Sequence, residues 1–101
     1  MIRHLESQDY FYLVKCSDLE CMVLSSSFEE AASQGLQNII KRNGKSTNLS
    51  FWLSVDYIKE YEIETKIFYT PNVLNDLGHF KLAKDLSCLS DFFLDKGENP
   101  H

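Results

Sequence analysis

Hydrophobic and polar positions change period several times along this chain, and each change predicts an element. Tyr10-Phe11-Tyr12-Leu13-Val14-Lys15-Cys16 is aromatic and β-branched, the composition strands favour. Cys21-Met22-Val23-Leu24-Ser25 reads as a second short strand, and the polar Ser17-Asp18-Leu19-Glu20 supplies the turn of a β-hairpin. With Asp18 and Leu19 at the turn, Cys16 is expected opposite Cys21. The hairpin is apolar on both sides: Tyr12, Val14, Cys21 and Val23 on one, Phe11, Leu13, Met22 and Leu24 on the other.

Helical spacing follows. Ser27-Phe28-Glu29-Glu30 has the form of a capping box, in which the serine hydroxyl accepts from the glutamate amide and the carboxylate reaches back. Phe28, Ala31, Ala32, Gly35, Leu36, Ile39 and Ile40 then fall on one helical face. Lys41 and Arg42 complement the dipole of the last turn, and Asn43-Gly44 supplies a left-handed terminus. After a polar loop over Gly44-Lys45-Ser46-Thr47-Asn48, the period becomes two. Leu49, Phe51, Leu53, Val55 and Tyr57 alternate with Ser50, Trp52, Ser54 and Asp56; Tyr61, Ile63, Thr65, Ile67 and Tyr69 alternate with Glu62, Glu64, Lys66 and Phe68. A turn at Ile58-Lys59-Glu60 would pair 55 with 63 and 51 with 67, uniting the two apolar sets on one face.

Thr70-Pro71 reads as an N-cap and first helical residue, Gly78 as a stop, and Leu82, Ala83, Leu86, Leu89 and Phe93 as a final helix ending before Gly97. The expected architecture is α+β, in the order ββαββαα, with two hairpins forming an antiparallel sheet packed by helices. A single domain over 10–97 is expected, with a flexible arm at 1–9 and a disordered tail at 98–101.

Composition changes little in this picture and excludes several functions. The chain has 101 residues, 44% hydrophobic and 25% charged, enough for one domain with a core. A net charge of −5 and the end-of-helix explanation for Lys41, Arg42 and Lys45 argue against nucleic acid. The opening residues carry no signal-type apolar run and no stretch approaches a membrane span, so a cytoplasmic protein with reduced Cys16, Cys21 and Cys88 is expected.

Catalytic chemistry is hard to assemble. No G-x-S-x-G elbow is present, the glycines do not cluster as a phosphate cradle, and of His4, His79 and His101 only His79, at the helix break, could serve as a base. Cys16-x4-Cys21 is looser than a zinc knuckle, and Cys88 among Leu86 and Leu89 reads as core. Asp56, Glu62 and Glu64 should share a solvated face. No enzyme, metal or cofactor is expected.

What remains is aromatic surface. In the expected register Trp52 opposes Lys66 and lies diagonal to Phe68, on an otherwise polar face. Either helices cover both sheet faces and these rings are core, or Trp52, Phe68 and Lys66, with Phe11, Leu13, Met22 and Leu24, form a protein interface, where such anchors are enriched. The hairpin followed by Ser26-Ser27-Phe28-Glu29-Glu30-Ala31-Ala32, with Thr70-Pro71-Asn72-Val73-Leu74-Asn75-Asp76-Leu77-Gly78, resembles small accessory proteins of tailed bacteriophages. The resemblance implies a protein that occupies another macromolecule, such as a host enzyme, a defence component or a virion partner. Protein binding, including self-association, is the expected function; a small-ligand or nucleotide-binding domain is the alternative.

Overall fold

In a computed structural model the described residues are 9–44 and 49–98. Seven elements appear in the expected order: β1 (Tyr10–Cys16), β2 (Leu19–Ser25), α1 (Phe28–Asn43), β3 (Trp52–Lys59), β4 (Glu62–Tyr69), α2 (Thr70–Asp76) and α3 (Phe80–Glu98). The four strands form one antiparallel sheet in the order β2-β1-β3-β4. The fold is α+β. Residues 1–8 of the expected arm, 45–48 of the loop and 99–101 of the tail lie outside the described residues, whereas Glu98 is the last residue of α3. That helix therefore runs through Gly97, where a stop was expected.

All the sheet-packing helices lie on one side. α1 spans β1, β2 and β3, and α2 packs against α1 and the end of β4, while α3 packs on α2. The core between α1 and the sheet is dense: Val14, Leu36, Leu53 and Val55 are fully buried. At Gly35 the helix approaches β1 so closely that an added Cβ would come within 3.0 Å of Val14 Cβ and both its methyl carbons. No other residue fits there without moving the helix.

α1 begins as its sequence requires. Ser27 is the N-cap, and its hydroxyl accepts from the Glu30 amide at 3.1 Å. The Glu30 carboxylate reaches one residue further back than a standard capping box, accepting from the amide of Ser26 at 3.0 Å and from its hydroxyl at 2.5 Å. Those two hydrogen bonds, the hydroxyl's first, hold the Glu30 carboxyl below the usual range. α2 starts differently. Thr70 is its first helical residue rather than its cap; Tyr69 is the N-cap and makes no side-chain capping bond. The Thr70 amide instead donates to the Phe51 carbonyl at 2.8 Å, and the buried Thr70 hydroxyl has no partner among the described residues.

Both hairpins close with two-residue turns, Ser17-Asp18 and Glu60-Tyr61, each with positive φ at its first residue alone. This overturns two expected registers. Cys16 faces Leu19, and Cys21 faces Val14. In the second hairpin Leu53 faces Phe68, Val55 faces Lys66 and Lys59 faces Glu62. An odd shift of register moves every side chain of a strand to the other face. Ile63, Thr65, Ile67 and Tyr69 consequently join Trp52 on the side away from α1, and Glu62, Glu64, Lys66 and Phe68 lie on the helix side. The charges are tolerated there because a helix about 10 Å across shadows only two or three strands spaced about 4.8 Å apart. β4 lies beyond that shadow, and Glu62, Glu64 and Lys66 reach water.

Candidate binding surface

The helix-free face of the sheet is built from alternate residues of all four strands. Reading across it, Leu24 pairs with Phe11 on β2 and β1, and Ile58 with Ile63 on β3 and β4. The next row runs Met22, Leu13, Asp56, Thr65, and the one after it Glu20, Lys15, Ser54, Ile67. Trp52 and Tyr69 close the far end, their rings 5.2 Å apart and tilted at 54°. Phe11, Met22, Leu24, Trp52, Ile63 and Ile67 are each 53–67% exposed, and Leu13 is half-buried.

Two apolar corners thus lie diagonally opposite, one around Phe11, Met22 and Leu24, the other around Trp52, Ile67 and Tyr69. Between them runs a polar diagonal. Asp56 accepts a hydrogen bond from the Thr65 hydroxyl at 2.7 Å and pairs with Lys15 at 3.4 Å, so both carboxylate oxygens are engaged. Its side chain is 13% exposed, so the paired carboxylate is largely shielded from water.

Comparison with protein-family models, curated proteins and solved structures found no match. The surface must therefore be read from its own chemistry.

Five of the seven expected interface residues, Trp52, Phe11, Leu13, Met22 and Leu24, do share this face. Lys66 and Phe68 do not. Phe68 is half-buried on the helix side, and the Lys66 ammonium stands 5.7 Å from the Phe28 ring centroid and 3.2 Å from Glu29. The Glu29 carboxyl sits below the usual range, held first by its own backbone amide and then by Lys66. Tyr69, Ile63 and Ile67, expected as core, belong to the open face instead. Their β-branched and aromatic character was visible in the sequence; which face they take was set by the turn.

The remaining candidate groups are engaged structurally. His79 Nε2 is 2.9 Å from Gln37 Oε1, tying the α2–α3 junction to α1. Cys16 and Cys21 are buried beneath α1; Cys16 Sγ points to Ser50, whose hydroxyl also accepts from the Ser17 amide at 3.1 Å and donates to the Trp52 carbonyl at 2.8 Å. Ser50 thereby clasps the first hairpin to the start of the second. Cys88, expected in the core, is exposed on α3. Burial under α1 raises the Tyr12 phenol above its ordinary range, with Tyr57 and Tyr10 adding to the effect. Among the described residues no His, Cys, Asp or Glu cluster has the makings of a metal site, and no helix is long and apolar enough to cross a membrane.

Proposed function

We propose that this chain is a non-enzymatic binding protein whose open sheet face docks another protein. The observation that carries the reading is the set of six large apolar side chains, from Phe11 to Ile67, standing more than half exposed on one face of one sheet. Apolar side chains scattered singly over a surface need no explanation, but two clusters of them on one rigid sheet face do. Burying a large apolar side chain contributes roughly 1.5–3 kcal/mol, so a partner covering either corner gains enough to hold it. The Lys15–Asp56–Thr65 diagonal would then orient the partner, as fixed polar groups do within an apolar contact.

A ligand held between helix and sheet is the weaker reading, because that space is filled. Leu36 and Ile39 of α1 close on Val14, Leu53 and Val55, all at most 1% exposed. The likeness to phage accessory proteins accords with a role played by occupying a host or virion protein.

The test is affinity capture from the source cell with the wild-type chain and with a Phe11→Thr/Trp52→Ala variant. Circular dichroism serves as the check on folding. A partner retained by the wild type should be lost with the folded variant. Retention of the same partner by both proteins would show that binding uses another surface.

A further inference from the structure

The β4 edge of the sheet carries a pattern that the β2 edge does not. From Glu62 to Ile67 β4 is exposed on both faces, and its outer side has no neighbouring strand among the described residues. With Tyr61 in front, the segment runs Tyr61-Glu62-Ile63-Glu64-Thr65-Lys66-Ile67-Phe68-Tyr69. About Thr65 it is nearly palindromic: tyrosine at both ends, isoleucine two residues either side, and opposite charges immediately adjacent.

We propose that β4 pairs antiparallel with β4 of a second copy of this chain, about a two-fold axis at Thr65, to make a continuous eight-stranded sheet. The inference uses the edge of the sheet and does not depend on what occupies its open face. A two-fold contact must be self-complementary, since each residue meets its symmetry counterpart's surroundings. Here Thr65 meets Thr65 and Ile63 of each copy meets Ile67 of the other, while Glu62 falls opposite Phe68 at the margin of the pairing. Glu64 of each copy meets Lys66 of the other, on the helix side. Threonine pairs, β-branched pairs and opposite charges are the cross-strand combinations that stabilise a sheet.

The hydrogen-bond phase agrees. Lys59 and Glu62 flank a two-residue turn and so exchange both backbone bonds, and the alternation along the ladder turns the amides and carbonyls of Ile63, Thr65 and Ile67 toward the free edge. Thr65 can therefore form a doubly bonded pair with its counterpart. Glu64 and Lys66 then fall in the closer, non-bonded pairs, with Cα atoms about 4.5 Å apart. Other axes fail. At Glu64 or Lys66 like charges would meet and the backbone groups point inward. At Ile63, Glu62 would face Glu64 twice.

Charges on an edge strand commonly deter pairing. In this order they oppose axes at Ile63, Glu64 and Lys66, and only the axis at Thr65 sets Glu64 against Lys66. The β2 edge offers no such match: an axis at Met22 brings no opposite charges together, because Glu20 would meet Leu24. One strand pair makes a small interface, so the dimer should be concentration-dependent.

Sedimentation equilibrium across a wide concentration range tests this, with circular dichroism confirming that each variant folds. The wild type should show a monomer–dimer equilibrium. Lys66→Glu and Glu64→Lys should each weaken dimerisation about tenfold or more, and the two together should restore it. In a Cys88→Ser background, Thr65→Cys should form an intermolecular disulfide under mild oxidation, the paired Cα atoms standing about 5.5 Å apart. Ile63→Cys should not, because its counterpart would be about 13 Å away. A wild type that stays monomeric at every accessible concentration overturns the proposal, as does equal cross-linking at 63 and 65. So does a dimer that ignores the charge reversals but dissociates on Trp52→Ala; the copies would then meet through the open face.

Discussion

The two faces of this sheet are made from similar side chains and differ in what covers them. On the covered face Tyr12, Val14, Val23, Leu53 and Val55 lie under α1, with almost no surface left. On the open face Phe11, Met22, Leu24, Trp52, Ile63 and Ile67 keep more than half of theirs. The difference teaches that apolar content alone does not assign a strand residue to the core. In a four-stranded sheet with helices on one side, the second face must either be polar or be waiting for a partner. Here it is apolar in two corners, with Glu20, Lys15, Ser54, Asp56 and Thr65 as its polar members, which motivates the proposal that a partner docks there.

If that contrast is right, substitutions should separate the faces by stability. The largest loss is expected at Gly35, where helix and sheet come closest. Gly35→Val puts a branched side chain into the volume of the Val14 side chain, and α1 must lift from β1 to make room. Overpacking of this kind costs on the order of 3 kcal/mol, more than any gain in helix propensity over glycine returns. A fall in the urea midpoint at unchanged slope would register it. A neutral result would mean that α1 is not seated on β1 as described.

Thr70 sharpens the same contrast from the other direction. Its hydroxyl is the one buried side-chain oxygen or nitrogen among the described residues without a hydrogen-bond partner, and an unsatisfied buried polar atom costs about 1–3 kcal/mol. Thr70→Val keeps the shape and removes the unpaired group. It should raise stability by about 1 kcal/mol, read as an upward shift of the thermal midpoint. The Thr70 amide, which bonds to Phe51, is untouched by the change.

These expectations rest on parts of the fold that differ in how far sequence reveals them. α1 was legible because its signals are local: Ser27 and Glu30 start it, Gly44 ends it, and Ala31, Ala32, Gly35, Leu36, Ile39 and Ile40 mark its buried face. The first hairpin was legible as apolar on both sides, and its outward set of Phe11, Leu13, Met22 and Leu24 stands where alternation places it. The second hairpin was not. Its two strands each carry a convincing apolar set, and matching them on one face is the natural inference. The two-residue turn at Glu60-Tyr61 decides otherwise, and the narrow shadow of α1 makes the decision affordable, since Glu62, Glu64 and Lys66 stay wet. Neither the turn type nor the reach of a distant helix is written in the alternation of β4. Alternation in β3 alone places Trp52 outward, but its neighbours on that face, Tyr69 and Ile67, follow only from the turn.

The smallest effect on stability should come from the open face itself. Met22 and Leu24 lie on the edge strand β2, more than half exposed, with their inward neighbours Cys21 and Val23 carrying the packing under α1. Replacing both with threonine, by Met22→Thr and Leu24→Thr, keeps good strand formers and removes only surface that water already reaches. Stability should change by no more than about 0.5 kcal/mol for each, the range of surface substitutions away from special features. Partner capture should nonetheless fall, because the lost methyl and methylene groups are those a docked protein would bury. A large loss of stability would mean that this corner is covered within the chain itself. The difference between the faces would then be one of degree, and the argument for an external partner would pass to the Trp52 corner alone.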